Sequence, residues 1–225
     1  KINSQKPASV FISRDSREND FFSKALTAHG YTVTAKSLIE TRRIPLRPMP
    51  ACDWIFFSSK NAVKHFFAQK PLLGEVKYGA IGKTTADEIR KFGKKADFIG
   101  YSTDIKLTGK QLSAVVGSKK VLFPSARGSM RTIQQQLPKL GQAVDMLVYE
   151  TIKRNDTPVE YADILVFTSP SNVEAFLEKN KIGKEQKIVA MGGATENALS
   201  KMGIKTNAMP ASFDDMGLVQ AVFSV

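Results

Sequence analysis

The sequence predicts an α/β protein in which short parallel strands alternate with covering helices, in two similar halves. Three observations predict it. Short apolar runs alternate with amphipathic segments along the 225 residues. The strands are brief and apolar, as in buried parallel sheet, and polar loops separate them from the helices. The same series of elements then recurs at a nearly constant spacing, the mark of a duplicated unit.

The elements follow in order. Ser9–Arg14 reads as a strand, and Asn19–His29 as a helix with Phe21, Phe22, Ala25 and Leu26 on one face, ended by Gly30. Tyr31–Ile39 is the next strand, then Asp53–Phe57 a strand and Asn61–Gln69 a helix with Val63, Phe66 and Phe67 inward. Tyr78–Gly82 leads into a helix over Thr85–Phe92, ended by Gly93; Asp97–Ile99 is extended and Gly109–Val116 helical. Val121–Ser125 is a strand, Met130–Leu137 a helix, and Val144–Ile152 a strand. Ile164–Thr168 and Ile188–Gly192 are strands, each followed by a helix, over Ser171–Glu178 and Thr195–Met202. A last helix covers Asp214–Val222.

The repeat is legible residue by residue. Phe57-Ser58-Ser59 with Val63 and Phe66 matches Phe167-Thr168-Ser169 with Val173 and Phe176, an offset of 110. Ala80-Ile81-Gly82, Thr85 and Gly93 match Ala190-Met191-Gly192, Thr195 and Gly203, and Glu40-Thr41 matches Glu150-Thr151, again at 110. Gly30 and Val33 match Gly141 and Val144 at 111. Two such units make a bilobal protein with a cleft, and clefts between lobes are where small molecules bind.

Composition narrows the function. Apolar residues form 42% of the chain, enough for a core. No apolar run reaches the ~18 residues of a membrane span and no segment has the order of a signal peptide, so the expectation is a cytoplasmic protein off the membrane. One cysteine, Cys52, and two separated histidines, His29 and His65, leave no metal site in view. The net charge of +12 invites an anionic partner, yet the basic residues are scattered. No nucleic-acid-reading motif accompanies them, so nucleic acid is not expected. Nothing patterns an oligomer; a monomer is the default.

In parallel α/β sheets, ligands gather beyond the carboxyl ends of the strands. Those ends carry Ser13-Arg14, Ser58-Ser59, Thr84-Thr85, Ser125, Thr168-Ser169 with Ser171, and Thr195. Ser and Thr are common there as helix N-caps. As a set, with the backbone N–H groups of helix starts, they also suit carboxylates or phosphates. No Gly-rich nucleotide loop, nucleophile elbow or Ser/His/Asp set is present. Such an inventory fits a substrate already reactive, which the protein mainly positions. Tyr149 stands out where the second half leaves its second strand, opposite Ile39 in the repeat. It is either an interface aromatic or a proton donor to a leaving hydroxyl. A non-catalytic bilobal binder of a polyanionic small molecule accounts for the repeat and the charge equally well.

These blocks together resemble the uroporphyrinogen-III synthase family. The resemblance is carried by Phe167–Phe176, Ala190–Thr195, Val148–Thr151, Pro210–Leu218, Ala80–Ala86 and Leu122–Gly128, from about Val10 to Val222. It implies two flavodoxin-like parallel-sheet domains joined by a two-stranded connector, one domain being discontinuous. On this sequence that places one domain at 1–34 with 156–225, the other at 48–146, and the connector at 35–47 with 147–155. It implies a cyclising hydro-lyase of tetrapyrrole (haem) biosynthesis, needing no cofactor. The substrate would be hydroxymethylbilane, handed on transiently by hydroxymethylbilane synthase. The linear tetrapyrrole would close with loss of water and inversion of ring D through a spiro intermediate. Tyr149 takes the place of the family's tyrosine that assists hydroxyl departure. Thr84, Thr85, Ser169, Ser171 and Thr195 fall in loops that contact carboxylates, with Ser13, Arg14, Ser58, Ser59, Ser125, Arg127 and Thr168 on the other strand ends. Lys60 stands where members carry Pro after the first-lobe Ser, and Gly193-Ala194 replaces a more usual Pro-Thr.

Overall fold

A computed structural model of the chain describes residues 8–17, 19–102, 104–154, 158–212 and 214–225. Phe213 of the Pro210–Leu218 block, Asn155 at the end of the expected connector, and Asp156 and Thr157 at the start of the segment that follows it lie outside the described residues.

The elements are β1 (Ser9–Ile12), α1 (Phe21–Ala28), β2 (Thr32–Ala35), β3 (Ile39–Arg43), β4 (Trp54–Phe57) and α2 (Lys60–Phe67). Then come β5 (Lys77–Ala80), α3 (Lys83–Lys91), β6 (Phe98–Ile99), α4 (Ile105–Val116), β7 (Val121–Ala126) and a 3-10 turn (Gln134–Gln136). The chain continues through β8 (Ala143–Lys153), β9 (Ile164–Phe167), α5 (Pro170–Leu177), β10 (Lys187–Ala190), α6 (Gly193–Lys201) and α7 (Asp215–Phe223). They form two compact units, one of residues Lys1–Glu40 and Ile152–Val225, the other of Thr41–Thr151.

The sheet of the first unit runs β10-β9-β1-β2, all parallel. Ala208 adds a parallel bridge beside Val189 of β10. The second unit's sheet runs β6-β5-β4-β7-β8, again parallel, with β3 on its edge beside β8. The first order is the 2-1-3-4-5 of a doubly wound sheet, and the second is the same order counted from β7. At an offset of 110, β4, β5, α2, α3 and α4 start where β9, β10, α5, α6 and α7 start. Each half of the repeat therefore supplies part of both sheets. Even side-chain links are repeated: Asp97 accepts the Tyr78 N–H (2.9 Å) as Asn207 accepts that of Ile188 (2.8 Å).

Alternate residues of the buried strands face opposite layers. In the first unit Val10, Ile12, Ile164 and Val166 pack with Phe22, Leu26, Leu218 and Val222 of α1 and α7. Phe11, Leu165 and Phe167 pack on the other face with Val173, Phe176 and Leu199 of α5 and α6. In the second unit Ile55 and Phe57 meet Val63, Phe66 and Ile89 of α2 and α3, while Trp54 and Phe56 meet Leu112 and Val116 of α4. Among the described residues no helix is long and apolar enough to cross a membrane.

Three elements differ from the sequence reading. The expected helix Met130–Leu137 is only the 3-10 turn. Pro138 opposes its continuation. Gln136 and Ile133 also press on α4 at Gly109, where a Cβ would stand 2.5 Å from Gln136 Cγ. The expected strand Tyr31–Ile39 breaks after Ala35 and resumes as β3, because its donors go to side chains. The Ser37 N–H donates to Asp15 (3.0 Å) and the Leu38 N–H to Asn172 Oδ1 (2.8 Å). Helix α4 begins four residues before Gly109, since the Asp104 carboxylate accepts the N–H groups of Lys106 (2.9 Å) and Leu107 (3.2 Å).

Candidate functional site

The predicted site residues lie at the carboxyl ends of the parallel strands of their own unit, and they fall into three kinds.

The first kind is held within the protein's own structure, by hydrogen bonds or by burial alone, although the buried Arg14 Nε has no hydrogen-bond partner among the described residues. Ser13, fully buried, accepts the Thr168 N–H (2.9 Å), and the Thr168 hydroxyl donates to the Ser13 carbonyl (2.8 Å). This mutual bonding locks β1 to β9 and leaves these hydroxyls little capacity for a ligand. The Arg14 guanidinium makes a two-point bond to Asp215 (2.6 and 2.9 Å) and a third contact to Asp20 (2.9 Å). It lies over the Phe22 ring, 5.6 Å from its centroid. Arg14 holds the Asp215 carboxyl below its ordinary pKa, chiefly by hydrogen bonding. Arg14 thus ties the end of β1 to the starts of α1 and α7. Ser169 caps α5, accepting from the Asn172 N–H (3.3 Å) and its amide Nδ2 (3.0 Å). Ser125 lies buried inside β7, at the point where its register with β8 shifts.

The second kind is open. Ser58, Lys60 and Thr84 are exposed, and Ser171 is half-buried. The Arg127 head is 61% exposed although Nε donates to Glu150 (3.1 Å), so it can leave that pair for another anion. Helices α3 and α6 begin at Gly82 and Gly192 with no side-chain cap, whereas Ser59, Asp104, Ser169 and Asp214 cap α2, α4, α5 and α7. Thr85 and Thr195, both buried, sit in the first turns of the uncapped pair. Uncapped starts present N–H groups and the positive end of the helix dipole, which suits a carboxylate.

The third kind is a cluster around Tyr149 in β8. The phenol is nearly buried, and its Oη stands 3.2 Å from Ser59 Oγ at the start of α2. Ser59 Oγ also accepts the Ala62 N–H (3.0 Å). The Tyr149 ring stacks on the His65 imidazole, centroids 5.1 Å apart and planes 15° from parallel. His65 Nε2 is 2.8 Å from the Thr41 hydroxyl. Burial, with Arg43 and Lys64 nearby, keeps the His65 pKa below its ordinary value.

The sequence reading passed over His65, Asn172, Asp20, Asp215 and Glu150, the residues that hold the predicted ones. A lone histidine without a metal partner gives no signal by itself. The repeat does mark one of them, because His65 falls opposite Ala175 just as Tyr149 falls opposite Ile39. Two described grooves, about 410 Å³ beside Trp54 and Lys77 and about 560 Å³ beside Ser9 and Asp163, lie at the opposite strand ends. Neither is lined by a predicted site residue.

Fold and site together define a duplicated, doubly wound α/β protein whose strand ends offer hydroxyls, the uncapped starts of α3 and α6, and one held phenol. Comparison with known proteins agrees. The family model for uroporphyrinogen-III synthase HemD matches residues 20–220, and the chain belongs to the uroporphyrinogen-III synthase family. It is 27% identical over 244 residues to the uroporphyrinogen-III synthase of Chlorobaculum parvum, covering 95% of this chain and 97% of that one. Its fold is similar to that of uroporphyrinogen-III synthetase from Helicobacter pylori 26695, at TM-score 0.73 and 19% identity, covering 96% and 99% of the two chains. A mutant uroporphyrinogen III synthase from the extremely thermophilic bacterium Thermus thermophilus is similar at TM-score 0.61 and 15% identity, covering 96% and 97%.

Proposed function

We propose that the chain closes hydroxymethylbilane to uroporphyrinogen III, as a carbon–oxygen lyase of tetrapyrrole biosynthesis. The observation that carries this is the family match across residues 20–220. The held phenol of Tyr149 supports the chemistry. Its O–H gives a proton to the hydroxymethyl oxygen on ring A, and the C–O bond breaks with loss of water. The pyrrole nitrogen's electron pair stabilises the resulting azafulvene. Ring D attacks it through its substituted carbon, the spiro intermediate fragments, and reclosure leaves the ring inverted. The proton released on rearomatisation returns to the phenolate. Since the substrate brings the reactivity, the protein's contribution is to hold a conformer that favours the spiro route.

The eight substrate carboxylates are assigned first to the uncapped starts of α3 and α6, with Thr84, Thr85 and Thr195, and to Lys60 and Arg127. Ser13, Thr168 and Arg14 serve as supports. Residues 35–47 and 147–155 form the connector. In support, β3 and β8 each cross a boundary between the units. They also run antiparallel, Ile44 N–H to Val148 C=O (2.9 Å) and Arg154 N–H to Leu38 C=O (2.8 Å). The proposed setting is a cytoplasmic monomer that takes its substrate from hydroxymethylbilane synthase.

The test starts from porphobilinogen and that preceding enzyme, adds this chain, and resolves the oxidised products by isomer. Type III product is expected. Type I product alone would reduce the chain to a polyanion binder.

A further inference from the structure

The two units differ at one cluster in a way that bears on the reaction. Ser59 and Ser169 are equivalent, and both cap a helix. Thr41 and Thr151 are equivalent as well. Tyr149 and His65 have no such counterparts: Ile39 and Ala175 stand in their places. His65 belongs to the first half of the repeat and Tyr149 to the second, yet both fall in the unit Thr41–Thr151, while Ile39 and Ala175 both fall in the other unit. They also touch, ring on ring, at 5.1 Å and 15°. In the unit without them, the Ser169 hydroxyl is engaged by the Asn172 amide (3.0 Å). In the unit with them, position 62 is alanine, and the freed side of Ser59 faces Tyr149 Oη (3.2 Å).

We infer that His65 is a positioning residue that holds the Tyr149 ring in the plane from which its phenol acts, with Ser59 fixing the hydroxyl. The inference rests on Tyr149 being the proton donor. Thr41 anchors the imidazole through Nε2 (2.8 Å), so the flat face of His65 is fixed and leaves Tyr149 one orientation. Ser59 uses one lone pair on the Ala62 N–H, and its own O–H is free to donate to Tyr149 Oη. That arrangement turns the phenolic proton away from Ser59, and the same donor then stabilises the phenolate after the proton has left. His65 itself exchanges no proton in this scheme.

The test is a double-mutant cycle with kcat and KM read separately. His65→Ala is expected to lower kcat about tenfold, the order of loss for a misplaced acid, and to leave KM within about twofold. His65→Phe, which keeps a flat ring, is expected to recover most of the rate. In a Tyr149→Phe background, His65→Ala is expected to change kcat less than about twofold, because the residue acts only through the phenol. Ser59→Gly, which retains a tolerated N-cap, should behave likewise. An equal loss in the Tyr149→Phe background, or a loss confined to KM, would overturn the inference. A separate readout covers failure of the acid assignment itself. With 3-fluorotyrosine incorporated, the Tyr149 fluorine signal, identified by its absence in Tyr149→Phe, should shift and broaden in His65→Ala. A single sharp, unmoved signal would overturn the holding role, whatever the rates.

Discussion

Arg14→Met would remove the guanidinium from a nearly closed ionic cluster and from its place over the Phe22 ring. Arg14 is 11% exposed and its partners Asp20 and Asp215 are 6% and 23% exposed. Removing one partner of such a buried group leaves uncompensated charge, at a cost of about 3–5 kcal/mol. With a urea slope of about 2 kcal/mol/M, the midpoint at pH 7 should fall by roughly 1.5–2.5 M. Acid should shrink the difference. Arg14 depresses the Asp215 pKa by hydrogen bonding and charge, so its contribution is present above the ordinary carboxylate value and fades as pH falls through the depressed one. Urea titrations followed by far-ultraviolet circular dichroism, at pH 7 and below about pH 4, give both numbers. Wild-type stability with weakened substrate binding would refute the reasoning and make Arg14 a substrate ligand instead.

Other outcomes follow from the same geometry. The His65 pKa is lowered by burial, Arg43 and Lys64, while the Tyr149 ring stacks on it. The unfolded chain therefore protonates first, and stability should decline as pH falls below about 6.5, by at most ~1.4 kcal/mol per pH unit. Urea midpoints from pH 7.5 to 5 should lose that slope in His65→Phe. Gly100→Ala would place a Cβ 2.5 Å from the Ile81 carbonyl oxygen and 2.6 Å from Thr108 Cγ2. A loss of about 1–3 kcal/mol is expected in thermal melts. Gly193→Ala, with nothing within 4 Å, should be harmless to stability. Asn172→Ala would strand the buried Leu38 N–H, costing about 1–3 kcal/mol in the same melts.

Much of the fold was legible because it rests on local pattern and on duplication. The 110-residue offset sets α2 against α5 and α3 against α6, and of the strand-end hydroxyls expected to cap helices or bind substrate, Ser59 and Ser169 cap. What was not legible depends on residues far apart in sequence. Nothing near Arg14 announces Asp215, yet that carboxylate removes Arg14 from the pool of free cations. Met130–Leu137 looks helical by period, but its packing against Gly109 on α4 permits only a turn. The break between β2 and β3 is decided by Asp15 and Asn172, neither of which is adjacent to it. Tyr149 is conspicuous in the sequence, whereas His65 on α2 has no metal partner to mark it, and its contact is a flat one with the ring of Tyr149 on β8.

The central claim is that the Tyr149 phenol drives dehydration of the substrate in this chain. The direct measurement is the rate of type III product from hydroxymethylbilane with Tyr149→Phe against wild type. The account predicts a fall of roughly one to two decades, the size of losing one general acid, with spontaneous type I product filling the difference. Type III formation at the wild-type rate would contradict it.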